Sequence, residues 1–236
     1  MNELWTSLCQ RAGVPLSEAQ DAKLERYLEL LVLANQRMNL TRITDLAAAR
    51  VQHIGDALTL LPHLPPNLQK LADVGSGGGV PGIPLAIVLP GVSVTLIEST
   101  RKKAVMLGDL AMRLELDNVT VLAERAEDVG LSPLRETFDV AVARAVATLD
   151  WLGEWCLPLV KKGGVMLAMK GPRVTDELPA AKKVFHHLGG GAAKVSPVEL
   201  PGATGLVIVN IPKIAKTEMR YPRPATSAKG KALGKS

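Results

Sequence analysis

The segment from Lys70 to Pro84 combines glycines and an acid in a spacing that suits cofactor binding. It reads KLADVGSGGGVPGIP, so a short apolar run leads directly into a glycine-rich turn. Glycine permits positive φ and lets a ligand approach the backbone closely. The stretch Gly77–Gly82 also satisfies the dinucleotide pattern G-x-G-x-x-G, which is weak evidence by itself. The sequence therefore predicts a cofactor loop between a strand and a helix.

Asp73 favours S-adenosylmethionine (SAM) over NAD as that cofactor. It lies two residues before Gly75 and completes the pattern Asp-x-Gly-x-Gly-x-Gly. A carboxylate at the end of a strand suits the cationic amino group of SAM and would repel a pyrophosphate. A phosphate-binding P-loop is excluded because no Gly-Lys-Ser/Thr follows the glycines. Glu98 ends the next predicted strand, where its carboxylate can accept hydrogen bonds from a ribose. NAD enzymes have an acid at the same place, so Glu98 does not distinguish SAM from NAD. Gly77 completes this predicted cofactor set.

Two further positions complete the candidate site. Ala126 and Glu127 follow the third predicted strand, where they would face the adenine; a solvated acidic turn is the alternative. Arg144 follows the fourth strand and could hold the methionine carboxylate, donate hydrogen bonds to a substrate base or form a structural ion pair. Lys170 ends the fifth strand and could contact phosphate or base, or simply be solvated. Both cations are predicted to position the substrate, with no general base and no metal site.

Regular alternation of strands and helices would place these residues at one edge of a parallel sheet. The candidate strands are Lys70–Val74, Val94–Glu98, Val119–Leu122, Phe138–Ala143 and Val165–Lys170. The candidate helices are Ile83–Leu89, Arg101–Leu114, Leu149–Leu159 and Asp176–Leu188. Cys156 lies in one of these helices and is expected in the core, since a cytosine-C5 nucleophile would be poorly placed there.

The end of the alternating region predicts an antiparallel hairpin. Ala193–Leu200 and Thr204–Ile211 flank the turn Pro201-Gly202-Ala203. A parallel sheet that ends in such a hairpin is the order of class I SAM-dependent methyltransferases. The expected fold is therefore α/β and Rossmann-like, with a mostly parallel seven-stranded sheet.

Helices precede this domain and a basic tail follows it. Ser17 and Asp45 are predicted to begin two helices, the second of which ends near Leu61. Residues 213–236 hold seven of the 28 basic and one of the 23 acidic residues, so residues 1–212 are nearly neutral. The predicted division is a helical extension at 1–66, a SAM-binding domain at 67–212 and a basic tail at 213–236 that contacts RNA.

Composition excludes several other classes of protein. Hydrophobic residues make up 47% of the 236, which rules out a disordered chain, and no apolar run is long enough to span a bilayer. Two cysteines and no visible secretory signal predict a reduced, cytoplasmic protein. Aromatic residues are only 3%, so a surface made mainly of base-stacking rings is not expected.

Over nearly its whole length, the chain resembles the bacterial RsmG (GidB) family of 16S rRNA guanine-N7 methyltransferases. The resemblance rests on MNLTRIT at 38–44 with His53 and Asp56 downstream, and on Asp73–Pro84 with its Gly-Val-Pro-Gly-Ile-Pro extension. Shorter matching stretches are Glu98–Lys103, Arg125–Asp128, Ala143–Ala145, Met169–Gly171 and Arg220–Arg223. The chain departs from the family at His53-Ile54-Gly55-Asp56-Ala57, where His-Phe-x-Asp-Ser is frequent, and at Pro224, where a second arginine is common.

The resemblance implies methylation of guanine N7 at nucleotide 527, in the 530 loop of 16S rRNA. It places cofactor contacts on Gly75, Val80, Ala126, Glu127 and Arg144. We expect the substrate to be naked rRNA, an assembly intermediate or the 30S subunit, and the protein to be a monomer. The candidate RNA-binding residues are Asn39, Arg42, His53, Arg101, Lys102, Lys103, Lys170, Arg173, Arg220, Tyr221 and Arg223. A methyltransferase of small molecules or proteins, and an RNA-binding factor without turnover, are the alternatives.

Overall fold

A seven-stranded sheet forms the centre of the computed structural model, which describes residues 1–228 and 231–233. Its strands are β1 (Lys70–Val74), β2 (Ser93–Ile97), β3 (Val119–Leu122), β4 (Phe138–Arg144), β5 (Val160–Lys170), β6 (Lys194–Pro197) and β7 (Val207–Pro212). The strand order is β3-β2-β1-β4-β5-β7-β6, and only β7 runs antiparallel to both of its neighbours. The predicted sheet with a C-terminal hairpin is confirmed.

Helices cover both faces of this sheet. The helices are α1 (Glu3–Arg11), α2 (Glu18–Met38), α3 (Leu46–Ala49), α4 (Asp56–Leu58), α5 (Gly82–Val88), α6 (Arg101–Arg113), α7 (Ala126–Leu131), α8 (Leu149–Cys156), α9 (Val174–His187) and α10 (Ala225–Ala228). One core joins α1, α2 and α4–α6 to one face, and a second core joins α7–α9 to the other. Cys156 is fully buried in the second core, as expected.

The structure corrects several predicted boundaries. Strand β5 begins at Val160, five residues earlier than predicted, because Val160 pairs with Phe138 before the register shifts. The two hairpin strands are shorter than predicted, with only four and six residues. Helices α1 and α7 were not predicted; a short helix such as α7 has too few turns to show an apolar period.

Helices α2 and α3 begin at the predicted caps, Ser17 and Asp45, but the helix predicted to follow Asp45 is irregular. The Ser17 side chain accepts from the Gln20 backbone N–H and Gln20 reaches back to Ser17, a complete capping box. Asp45 caps α3, but the predicted single helix continues as a π-helical turn over Arg50–Gly55 before α4, and a 3₁₀ turn follows at Leu61–His63. Among the described residues, no helix is long and apolar enough to cross a membrane.

The segment after β7 is pinned to the domain and differs from a free cationic tail. Lys213 is fully buried, and its Nζ donates to the carbonyl oxygens of Leu157 (2.7 Å) and Leu188 (3.1 Å) and to the Thr217 hydroxyl. The Arg223 guanidinium forms an ion pair of 2.7 Å with Glu154, which is fully buried. The predicted tail residues Lys229 and Lys235 lie outside the described residues.

Replacement of Lys213 by Met is expected to lower the free energy of unfolding by about 2–4 kcal/mol. The apolar side chain would leave the buried Leu157 carbonyl and the Glu136 carboxylate without their cation. Urea denaturation measures the change, and Lys216→Met, at an exposed position four residues before Arg220, is the matched control. Equal stability of the two variants would contradict a structural role for Lys213.

Candidate active site

The glycine loop between β1 and α5 is held by hydrogen bonds from both of its ends. The Gly75 N–H donates to the Ile97 carbonyl at 2.8 Å, which ties the loop to β2. At the other end, the Gly82 N–H donates to Asp73 Oδ2 at 3.0 Å. A Cβ on Gly82 would lie 2.3 Å from Leu96 Cδ2 and 2.6 Å from Asp73 Oδ2, so only glycine fits there. The loop is therefore hydrogen-bonded within the protein at both of its ends.

Asp73 is completely buried beneath this loop. Burial raises the pKa of its carboxyl to about 7, although the hydrogen bond from Gly82 opposes the shift. Its Oδ1 has no hydrogen-bond partner among the described residues. An orphaned acceptor under the loop is compatible with the cationic amino group of SAM, so the predicted role of Asp73 stays a prediction with geometric support.

Glu98 braces the loop from β2. Its Oε2 accepts from the Gly77 N–H at 3.0 Å and its Oε1 from the Thr100 N–H at 2.8 Å. Each carboxylate oxygen retains lone pairs that a ribose hydroxyl could use. Val80, the other loop residue implied by the family resemblance, is buried in the core that joins the helical extension to the sheet.

A small cavity of about 120 Å³ adjoins the carboxyl ends of β1 and β2. Gly75, Ala126 and Glu127 line it, so the structure brings together three of the predicted cofactor residues. Trp155 also lines it and was not predicted from the sequence. Val146 also lies here: a Cβ on Gly75 would be 2.6 Å from Val146 Cγ2. Sequence reasoning did not single out Val146, whose loop includes Ala145 at a φ of +55°.

A second cavity, of about 520 Å³, lies at the carboxyl ends of β4 and β5. Arg144 and Lys170 line it as predicted from their positions after these strands, and the hairpin supplies Thr204 and Leu206. Gln52 and Asp56 form the wall on the side of the helical extension. These two strand-end cations, placed independently from sequence, therefore share one cavity.

Arg144 is held by three groups from the helical extension. Its Nη1 donates to the Gln52 carbonyl at 2.6 Å and to Asp56 Oδ2 at 2.9 Å, while Nη2 lies 3.3 Å from His53 Nδ1. Burial raises the pKa of Asp56, and the charge of Arg144 opposes that shift. The structural ion pair considered from the sequence is present, and it orients the guanidinium at the cavity wall.

His53 requires a correction. The sequence predicted that His53 forms part of an RNA-facing wall. In this structure its side chain is 3% exposed and does not face the surface. Burial and the nearby Arg144 charge lower its pKa to about 4, so the imidazole is neutral at pH 7. A neutral Nδ1 without a proton accepts from Arg144, which makes His53 a support for that guanidinium.

Lys170 is anchored within the domain. Its Nζ donates to the Ala147 carbonyl at 2.9 Å and pairs with Glu177 at 2.8 Å. The Glu177 carboxylate also accepts from the Leu149 N–H at 2.7 Å. Lys170 thus fixes the loop after β4, and its predicted contact with substrate stays a prediction.

The remaining predicted RNA-binding residues are spread over the surface. Asn39, Arg42, Arg101, Lys102, Arg173 and Arg220 are exposed, and Lys103 is half-buried. Tyr221 packs against the second core, with the Arg220 guanidinium 5.0 Å from its ring centre. Arg223 differs from the expectation of a free RNA contact, because Glu154 holds its guanidinium.

Two residues of the site had weak signals in the sequence. Asp56 is the one charged residue in the apolar run Ile54–Leu61. Its pairing with Arg144 could not be predicted, because the two residues are 88 positions apart in the sequence. Tyr27 donates from its hydroxyl to the Gly78 carbonyl at 2.8 Å, which ties α2 to the glycine loop. Its spacing within α2 marks it only as a core residue.

Substitution of Gly75 by Ala is expected to lower the affinity for SAM at least tenfold. The new methyl group would overlap Val146, and the φ of +73° at Gly75 disfavours any L side chain. Calorimetric titration with SAM measures the loss. Gly91→Ala is the matched control, because a Cβ there meets nothing within 4 Å. Unchanged affinity in Gly75→Ala would show that the cofactor does not pass this residue.

Comparisons with known proteins bear on the fold and on the family. A structure that resembles the chain is a variant of the 16S rRNA (adenine(1408)-N(1))-methyltransferase of Catenulisporales acidiphilia with its cosubstrate SAM. The TM-score is 0.53 at 16% identity, over 64% of this chain and 87% of the other, which supports the fold.

Sequence relatives are much closer. The chain is 45% identical over 212 residues to the "Ribosomal RNA small subunit methyltransferase G" of Chloroflexus aggregans, covering 89% of each protein. It is 39% identical over 236 residues to the protein of the same name from Lactobacillus delbrueckii subsp. bulgaricus, covering 98% of this chain and 99% of the other. The family model described as "rRNA small subunit methyltransferase G" matches residues 20–200. The chain belongs to this GidB family of methyltransferases.

Proposed function

We propose that this chain transfers the methyl group of SAM to N7 of a guanine in 16S rRNA, at nucleotide 527 in the 530 loop of the small ribosomal subunit. One observation carries the proposal. A glycine loop of the SAM-binding type lines one cavity through Gly75, and Arg144 lines a second, in a chain of the rRNA small subunit methyltransferase G family. The site of action is the cytoplasm, and the protein acts as a monomer.

Methyl transfer to guanine N7 requires the protein mainly to align the two reactants. Guanine N7 carries an in-plane lone pair and no proton, so no general base is needed. SAM supplies a methyl group on a cationic sulfur. As N7 forms its bond to the methyl carbon, the electron pair of the carbon–sulfur bond goes to sulfur, which leaves as the thioether of S-adenosylhomocysteine. The positive charge passes to the guanine ring. The protein contributes by holding the two reactants in line.

The structure supports alignment by a preorganised Arg144. The Gln52 carbonyl and the Asp56 carboxylate fix the guanidinium before substrate arrives, so little side-chain entropy remains to be lost on binding. Lys170 acts on the adjacent loop by holding the Ala147 carbonyl. Both residues act through position, in agreement with a reaction that moves no proton.

The exposed cations provide the electrostatic attraction for RNA. Arg101 and Lys102 begin α6, where cations oppose the helix dipole and gain nothing for folding. Arg42 and Arg173 are exposed on other elements. We propose that these residues contact phosphates of 16S rRNA within a 30S subunit or an assembly intermediate.

Methyl transfer from tritiated SAM to naked 16S rRNA, assembly intermediates and 30S subunits tests the proposed function. We expect one methyl group per RNA, located as 7-methylguanosine at position 527 by mass spectrometry. In cells that lack this protein, the same mark should disappear. Transfer to a small molecule or protein without RNA would favour another methyltransferase activity. Tight RNA binding without any transfer would favour a non-catalytic factor.

The double variant Arg101→Ala/Lys102→Ala is expected to bind RNA with a weaker salt dependence. Each lost phosphate contact should reduce the slope of log K against log[salt] by about 0.7–0.9. Filter binding at several salt concentrations measures the slope. Lys182→Ala/Lys183→Ala removes two exposed cations from α9 and is the control of equal charge. Identical slopes in both double variants would contradict a direct role for the start of α6.

A further inference from the structure

The 520 Å³ cavity contains a donor and an acceptor side by side. Volumes of 300–1,000 Å³ are typical of small-ligand sites, so a nucleotide turned out of its RNA can enter. Both hydrogens of Arg144 Nη1 are taken by the Gln52 carbonyl and by Asp56 Oδ2, the latter at 2.9 Å, so a ligand beside the Asp56 carboxylate would receive its hydrogen bond from Nη2 or Nε of Arg144. Among the described residues that line the cavity, Asp56 is the only acidic one.

The Asp56 carboxylate retains acceptor capacity for a ligand. Oδ2 accepts from Arg144, whereas Oδ1 has no hydrogen-bond partner among the described residues. The side chain keeps 13% of its surface exposed. Ionised carboxylates offer about four lone-pair positions, and the Arg144 contact uses one of them. Of the other charged groups on this wall, Lys170 is engaged by Glu177 and the Ala147 carbonyl.

This pair of groups complements one purine and mismatches the other. The Watson–Crick edge of guanine presents an acceptor at O6 and donors at N1 and N2. An arginine beside a carboxylate presents a donor followed by acceptors, in the matching order. Adenine presents a donor at N6 and an acceptor at N1, which would oppose like groups on both residues. A base held by this edge leaves N7, on its five-membered ring, free for the methyl donor.

We propose that Asp56 determines the guanine specificity of methyl transfer by accepting hydrogen bonds from N1–H and N2–H of the target base, while Arg144 donates to O6. The inference rests on the proposed function and names a specificity residue for it. The Gln52 carbonyl accepts from the same Nη1 as Asp56, and His53 Nδ1 faces Nη2. The π-helical turn Arg50–Gly55 carries both of these groups immediately before Asp56. Residues 52–56 thus supply Asp56 and the groups that hold Arg144 from one backbone segment.

Replacement of guanine by inosine at the target position tests this assignment. Inosine keeps O6 and N1–H but lacks the N2 amino group, so it removes one hydrogen bond to Asp56. The substrate is 16S rRNA assembled by splinted ligation with guanine or inosine at nucleotide 527 and incorporated into 30S subunits. Wild-type protein should lose roughly 10- to 100-fold in kcat/KM with inosine, since a bond to a charged group is lost. Asp56→Asn should reduce this preference to less than threefold.

The matched control is Glu25→Gln, which disrupts an ion pair with Arg50 in the same helical extension, outside the cavity. It should retain the wild-type preference for guanine. Equal rates of the wild-type protein on guanine and inosine would overturn the assignment without any variant, and so would an undiminished preference in Asp56→Asn. If wild-type protein methylates neither substrate, the proposed function itself fails. Circular dichroism should show that Asp56→Asn is folded, which separates a specificity effect from unfolding.

Discussion

The arrangement of the site depends on one buried carboxylate, that of Asp73. It lies at the end of β1 and accepts the hydrogen bond that starts α5, so the glycine loop is closed from below. The leucine side chain of Leu96 and the carboxylate leave no room for a Cβ at Gly82. Burial disfavours the ionised form of the Asp73 carboxyl and raises its pKa to about 7, because this effect outweighs the opposing hydrogen bond from Gly82. The contact between Asp73 and Gly82 thus fixes β1, the glycine loop and α5 relative to one another.

The N-terminal helices take part in the site as directly as the sheet does. Tyr27 in α2 fixes the glycine loop through the Gly78 carbonyl, and the segment from Gln52 to Asp56 fixes Arg144 at the end of β4. Their apolar residues share one continuous core with strands β1 and β2. The sequence pattern changes between the helical extension and the domain that follows it. In the structure, the two parts share one core and both line the larger cavity.

Sequence patterns predicted those features that depend on local chemistry. The strand–glycine–helix order, the helix caps at Ser17 and Asp45 and the closing hairpin follow from short-range rules, and the structure confirms them. The burial of His53 and Lys213 could not be predicted in the same way. Each is a polar residue whose environment is formed by distant segments, so no periodicity marks it. The same holds for the basic tail. Its number of charges can be read from the sequence, but the ion pairs of Lys213 with Glu136 and of Arg223 with Glu154 could not be predicted, because the two acids lie in distant segments.

The ion pair between Asp56 and Arg144 also constrains how such a site can diverge. Its two members lie 88 residues apart, on α4 and β4, and each is largely shielded from solvent. Loss of either one leaves a shielded charge without its partner, at a cost of several kcal/mol. Substitutions at these two positions are therefore expected to occur together, because a protein with only one of the two changes would be less stable.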